Sequence, residues 1–330
     1  MTLINRHASA FAALAFAGSG VADVSIVLDY TYDSTNFFSN NAQAKAALES
    51  AASTLSGILG DEFSAIETPE TYNSSMFSGQ VDWSWSQSFS HPSMGTNVTI
   101  NNGTVNANEY VIFAGVQQLG GTTLGRGGPG GFGWSSTPSG LFAASEIDEI
   151  NVITADFASA VEDRQDAPGF AGWGGAVTFD TDSDWNYNHN DDPSGGENDF
   201  FSVALHEIAH TLGLGGSDEW NALVTEALDG LSATFGGTSS VASHGGPIDL
   251  DKGEDTDWAH WAEGVESDLF FGSGLQETLM DPTLTTGTRK YLTELDVAAL
   301  EDIGWTIVPE PGSAALVIAG SAALIRRRRA

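Results

Sequence analysis

Phe200-Phe201-Ser202-Val203-Ala204-Leu205-His206-Glu207-Ile208-Ala209-His210-Thr211-Leu212 reads as one amphipathic helix. Phe200, Phe201, Val203, Ala204, Ile208 and Leu212 supply its apolar face. Asn198 or Asp199 stands ready to cap its first turn. His206 and His210 are four residues apart, so they share a face and both imidazoles can point at one ion. Glu207 sits beside the first of them and can reach a water on that ion. The chain has no cysteine, so any metal must be held by histidines and carboxylates. Zn²⁺ suits such a set: it lowers the pKa of its water towards about 7. Glu207 is then placed to take the water's proton and pass it to a leaving amine.

Zinc needs a third protein ligand and an open fourth position. The chain continues Thr211-Leu212-Gly213-Leu214-Gly215-Gly216. This resembles the metzincin motif, in which a glycine ends the helix and a third histidine follows three residues later. Gly213 matches the turning glycine, but Gly216 stands at the third-histidine position and has no side chain. The third ligand must come from elsewhere. His260 is the expected one, in Ala259-His260-Trp261-Ala262-Glu263, with Asp218 and His244 as alternatives. Downstream come Glu277-Thr278-Leu279-Met280-Asp281-Pro282, Tyr291-Leu292-Thr293 and Leu300-Glu301-Asp302-Ile303-Gly304-Trp305. That order resembles the leishmanolysin-like metzincins, where an insertion separates the glycine from a distant histidine preceding a Trp. The resemblance implies His206, His210 and His260 as zinc ligands, Glu207 as catalytic base, and Met280 in a turn beneath the metal. The disulfides of that family have no counterpart here. His91 and His189 lie in polar segments and read as solvated.

Upstream, the segment from Gly174 to Trp185 resembles the one that precedes the zinc helix in matrixins. There, acidic residues help hold structural calcium. Asp180 and Asp182 match acidic positions, Ser183 stands where a glutamate is usual, and Asp191-Asp192 could add oxygens. The resemblance thus implies a Ca²⁺ site at Asp180 and Asp182.

The 330-residue chain is 41% hydrophobic and 17% charged, a globular balance. Its formal charge of −33 opposes binding to a phosphate backbone, so nucleic acid is not an expected partner. Five of the 11 basic residues lie at the ends. Residues 1–22 read as a signal peptide, with Arg6, an apolar stretch and Gly20-Val21-Ala22 at the cleavage spacing. Residues 308–330 begin Val308-Pro309-Glu310-Pro311-Gly312-Ser313, run apolar to Ile325 and end in four arginines. This resembles the PEP-CTERM sorting signal of bacterial exported proteins. It implies an exosortase-type sorting enzyme as partner and transient membrane association through a stretch too short to span comfortably. The implied location is the cell surface or extracellular matrix.

Between the ends, residues 23–307 read as one catalytic domain, with an upper part 23–213 and a lower part 214–307. Strands are expected at Ser25 to Tyr30, within 79–116 (clearest at Tyr110 to Phe113) and at Ala176 to Phe179. Helices are expected at Asn41 to Leu59, Phe200 to Leu212, Glu219 to Leu231 and Thr293 to Ile303. Gly120 to Gly133 reads as a surface loop near a sheet edge. Strands and helices are mixed, so the fold class is α+β. The resemblance implies a metzincin-like zincin: a twisted mixed sheet, a backing helix, a zinc helix and a smaller C-terminal subdomain. The implied function is a secreted zinc metalloendopeptidase acting on proteins or peptides. Two other readings remain at this point: a non-catalytic surface or matrix protein that keeps the metzincin shell, and a calcium-dependent adhesion module.

Overall fold

A computed structural model describes residues 24–165, 170–253 and 258–308. The two end segments lie outside the described residues, apart from Val308. Glu109–Gln117 is apolar on both faces, which suits the middle of a sheet covered on both sides. It pairs in parallel with Ser25–Asp29, setting Ile26 opposite Tyr110. It pairs in parallel with Gly174–Asp180 on its other side, setting Ala114 opposite Val177. Gly125–Pro129 then closes the sheet as an antiparallel edge strand. Alternation sends Tyr110, Ile112 and Ala114 to one face and Val111 and Phe113 to the other.

The first face is covered by two helices. Ala42–Ser56, capped by Asn41, buries Ala44, Ala47, Leu48, Ala51 and Leu55. The small alanines let it lie close to the motif helix Phe200–Thr211. Phe200, Leu205 and Ile208 are fully buried, each contributing about 1.5–3 kcal/mol. The second face meets another layer, in which Gln80–Ser90 is flanked by Asn97–Asn101 and Gly131–Ser139. Phe89 stacks on Phe113 across that boundary, with centroids 4.3 Å apart.

After Gly213 the chain builds a small sheet ordered Val224–Glu226, Ala233–Phe235, Ile248–Asp251, His260–Trp261. A closing helix, Glu294–Asp302, follows. Leu48, Ile112, Ile208, Trp220, Trp261 and Leu300 belong to one apolar cluster, so residues on both sides of Gly213 share a core. The fold is mixed α+β, as expected.

Two local expectations are corrected, and one helix was not expected. The Gly-rich segment is a loop only over residues 120–124. It carries the edge strand and the start of Gly131–Ser139, because glycine lets the backbone press onto its neighbours. A Cβ on Gly127 would lie 2.0 Å from the Glu207 carbonyl oxygen. The helix expected from Glu219 to Leu231 covers only Asp218–Ala222. Asp229-Gly230 then turns the chain into a hairpin: Gly230 has φ +65°, and the Asp229 carboxylate accepts from Leu231 N–H. Finally, Ala144–Glu162 is a 19-residue helix with no expected counterpart. Its signal was present: Ile150, Ile153, Phe157 and Val161 recur at helical spacing and pack into the second layer.

Candidate metal centre

Asp199, rather than Asn198, caps the motif helix: its carboxylate accepts from the Ser202 N–H at 3.0 Å and hydroxyl at 2.6 Å. The Arg289 guanidinium grips the same carboxylate through Nε (2.9 Å) and Nη2 (2.6 Å). At the far end, the Tyr110 hydroxyl donates to the Thr211 carbonyl, and Trp305 Nε1 donates to Leu212 O at 2.8 Å. The helix that carries both histidines is thus held at each terminus, where backbone groups otherwise lack partners.

His210 Nδ1 lies 2.8 Å from the Leu214 carbonyl, and His206 Nδ1 lies 2.8 Å from the Leu279 carbonyl. A carbonyl can only accept, so both Nδ1 atoms carry the hydrogen and both Nε2 atoms present lone pairs. Strand pairing delivers the third ring. Trp261 is buried and close to Trp220 and Phe235, so its neighbour His260 points the opposite way. Met280 O accepts from Trp261 N–H at 3.1 Å. The three Nε2 atoms form a near-equilateral triangle: 3.1 Å (206–210), 3.1 Å (210–260) and 3.2 Å (206–260).

The two lone pairs on His206 and His210 face each other and the His260 Nε2, a crowding that a cation among them would relieve. Nitrogens at 2.0–2.1 Å from a tetrahedral Zn²⁺ sit roughly 3.3 Å apart, so the triangle fits zinc. Burial also lowers the proton affinity of the rings: His206 is held well below the ordinary imidazole range and His260 falls to about 4. Neutral imidazole is the form that binds a metal.

Glu207 is 6% exposed and lies under the edge strand. A Cβ on Gly125 would stand 2.6 Å from its Oε1. Burial pushes its carboxyl up to about 8, against the opposing pulls of the Gly127 N–H and the Arg126 charge. A carboxyl poised near neutrality can both take and give a proton. A cleft of about 1170 Å³ runs along the edge strand and takes in all three histidines and Glu207.

The structure brings His206, His210, His260 and Glu207 together. Met280 is fully buried, in the turn whose preceding carbonyl receives His206. Gly216 is open, with nothing within 4 Å of a Cβ placed there, while Gly215 packs against Ala259. The chain therefore uses the turn at 215 to admit the strand that brings His260. The alternatives do not join the group: Asp218 starts a short helix and His244 ends another, both exposed.

Among the described residues, Asp180 and Asp182 belong to no cluster of three or more possible metal-ligating side chains. The Asp180 oxygens accept from Leu119 N–H (2.9 Å), Asp182 N–H (3.0 Å) and the Ser183 hydroxyl (2.7 Å). Asp182 takes the Gln118 amide. The loop holding Asp191 already has a cation: Arg289 donates to the carbonyls of Asn188, His189 and Asp191. Among the described residues, the one further cluster of possible ligands is Glu263, Glu277 and Asp281, and two of these already pair with the Lys290 ammonium, which lies 3.2 Å from Glu277 and 3.0 Å from Asp281.

Sequence reasoning missed Asp296 and Arg289. The Thr293-x-x-Asp296 spacing of a capping box was the available signal for the first. Nothing local marks the second.

The matrixin family model matches residues 155–259, about a third of the chain, including the whole motif helix. The match supports a metzincin-type metallopeptidase, a class that normally uses zinc. No curated protein and no solved structure matches the chain.

Proposed function

We propose that the chain is an exported zinc metalloendopeptidase whose zinc is held by His206, His210 and His260. The observation that carries this is the triangle of Nε2 atoms beside a buried Glu207. When bound, zinc supplies a Lewis acid that polarises a scissile carbonyl and acidifies a water. The protein's own residues do the rest. The carbonyls of Leu279 and Leu214 fix the two helix imidazoles in the ligating tautomer. Glu207 accepts the water proton and returns it to the leaving amine. The edge strand Gly125–Pro129 borders the cleft and offers a template on which a peptide can lie as a further strand. The substrates are peptides or proteins. Residues 1–22 act in export, and residues 308–330 address the protein to an exosortase-type enzyme at the cell surface.

The deciding experiment measures zinc stoichiometry and peptide hydrolysis together. Glu207→Gln should keep one zinc per chain and lose hydrolysis by roughly 10²–10⁴-fold. Retained peptidase activity would refute the base assignment. His260→Ala should lose the metal; if Asp218→Ala does so instead, the third ligand is wrong. Replacing Pro309-Glu310-Pro311 should abolish surface processing, and unchanged processing would count against the sorting role.

A further inference from the structure

A second feature lies in the layer on the far side of the central sheet, and it does not depend on the zinc reading. Met76 (68% exposed), Phe77 (55%), Leu141 (68%) and Ile147 (47%) are large apolar residues open to solvent. Scattered apolar side chains are ordinary, but these share one neighbourhood. A Cβ on Gly79 would lie 2.4 Å from the Leu141 carbonyl oxygen, and one on Gly140 would lie 2.3 Å from that of Ser78. The segment 74–79 therefore lies directly on 140–142. Glu146, the residue before Ile147, pins it there. Its buried carboxylate accepts from the Ser75 N–H (2.8 Å), the hydroxyls of Ser74 (2.8 Å) and Ser75 (3.0 Å), and the Ala143 N–H (2.9 Å). Met76 and Phe77 are thus displayed on an anchored loop. Beside them is a cavity of about 240 Å³ whose lining includes Val81, Pro138, Phe142, Ile147 and Ile150, room enough for an apolar side chain.

The segments that build the patch, 74–82 and 136–154, carry acidic side chains and no Lys or Arg. No Lys or Arg occurs between Lys45 and Arg126, and the next, Arg164, is buried. Exposed carboxylates do occur: Asp148 follows Ile147, and Glu149 accepts from the Tyr72 hydroxyl at 3.0 Å. A second copy of this chain would bring the same carboxylates and a charge of −33, which opposes self-association. We propose that the patch docks a cationic amphipathic segment of a partner protein. Its apolar side chains would cover Met76, Phe77 and Leu141 and enter the cavity, and its Lys or Arg residues would meet the acidic rim.

The test uses the full chain and two labelled synthetic helices of equal apolarity, one Leu/Lys and one Leu/Glu. The Leu/Lys peptide should bind, more weakly as salt rises, and the Leu/Glu peptide should not. Phe77→Ser and Leu141→Ser change no charge, and each should weaken Leu/Lys binding by roughly tenfold. Both positions are exposed, so neither substitution empties the core, and weakened binding in either supports the proposal. Unchanged affinity in both would place the peptide on the general acidic surface and overturn the proposal. So would equal binding of the Leu/Glu peptide. A concentration-dependent dimer that disappears in Phe77→Ser would make a second copy the occupant and overturn it as well.

Discussion

Asp296 is fully buried, and its two oxygens take five hydrogen bonds. Trp261 Nε1 (3.1 Å) and Met280 N–H (3.2 Å) reach Oδ1, and Leu279 N–H (2.9 Å), Thr293 N–H (3.1 Å) and the Thr293 hydroxyl (2.6 Å) reach Oδ2. Leu279 then receives His206, and Trp261 adjoins His260. One carboxylate on the closing helix therefore positions two of the three converging rings. Asp296→Ala would strand several buried donors, at a cost of about 3 kcal/mol or more. Zinc affinity should fall by roughly 10–100-fold in chelator competition, the usual effect of losing a group that orients the ligands. Unchanged zinc affinity in a folded variant would remove Asp296 from this role. At this scale the sequence was most legible where the chemistry demands a local spacing. His206, Glu207 and His210 declare themselves on one turn of helix. His260 was legible only through the order of Trp, Met-containing and closing segments. Asp296 acts across long chain separations, which no local pattern records.

Backbone shape decides how the elements meet, and glycine positions test it. Gly215 has φ +82°, and its Cβ would lie 2.3 Å from the Ala259 carbonyl oxygen, whereas the same atom on Gly216 meets nothing. Gly215→Ala should cost about 1–3 kcal/mol in denaturant unfolding and displace the strand carrying His260, weakening metal retention. Gly216→Ala should change neither. Equal effects at the two positions would contradict the idea that the turn at 215 makes room for that strand. A second element-scale test concerns the helix Ala144–Glu162. Hydrogen bonds hold the Glu146 carboxyl down at about 2, below its ordinary value near 4.5, so the folded state resists protonation there. Its stabilisation is fully present above about pH 4.5 and is lost as pH falls towards 2. Wild type and Glu146→Gln should differ in melting temperature at pH 7 and converge on acidification; parallel curves would sink this. The helices Ala42–Ser56, Phe200–Thr211 and Glu294–Asp302 and the apolar strands were readable from periodicity. The Gly-rich edge strand was not, because glycine has weak strand preference and is present for close approach to Glu207, which propensity does not encode.

Composition showed a strongly acidic molecule but not where its few cations go. Outside the end segments there are six, and three of them are interior cross-links. Arg164 donates to the carbonyls of Ser64, Asn106, Glu109 and Gly172. Arg289 ties Asp199 to the loop at 188–191, and Lys290 bridges Glu277, Asp281 and the Thr283 carbonyl. The surface is left with Lys45, Arg126 and Lys252 among the described residues, so its carboxylates are largely uncompensated and folding compresses their repulsion. Raising salt shortens the Debye length from about 30 Å at 0.01 M to about 8 Å at 0.15 M. The melting temperature should therefore rise by several degrees over that range. Arg289→Lys supplies the control, because it preserves net charge but cannot reproduce a two-pronged grip on Asp199 together with three carbonyls. Its melting temperature should lie several degrees below wild type at every salt concentration, with the same salt slope. If wild-type stability is flat in salt, surface repulsion is not what the interior cations are working against. If the slope changes with Arg289→Lys, the clamp and the surface charge are one effect rather than two.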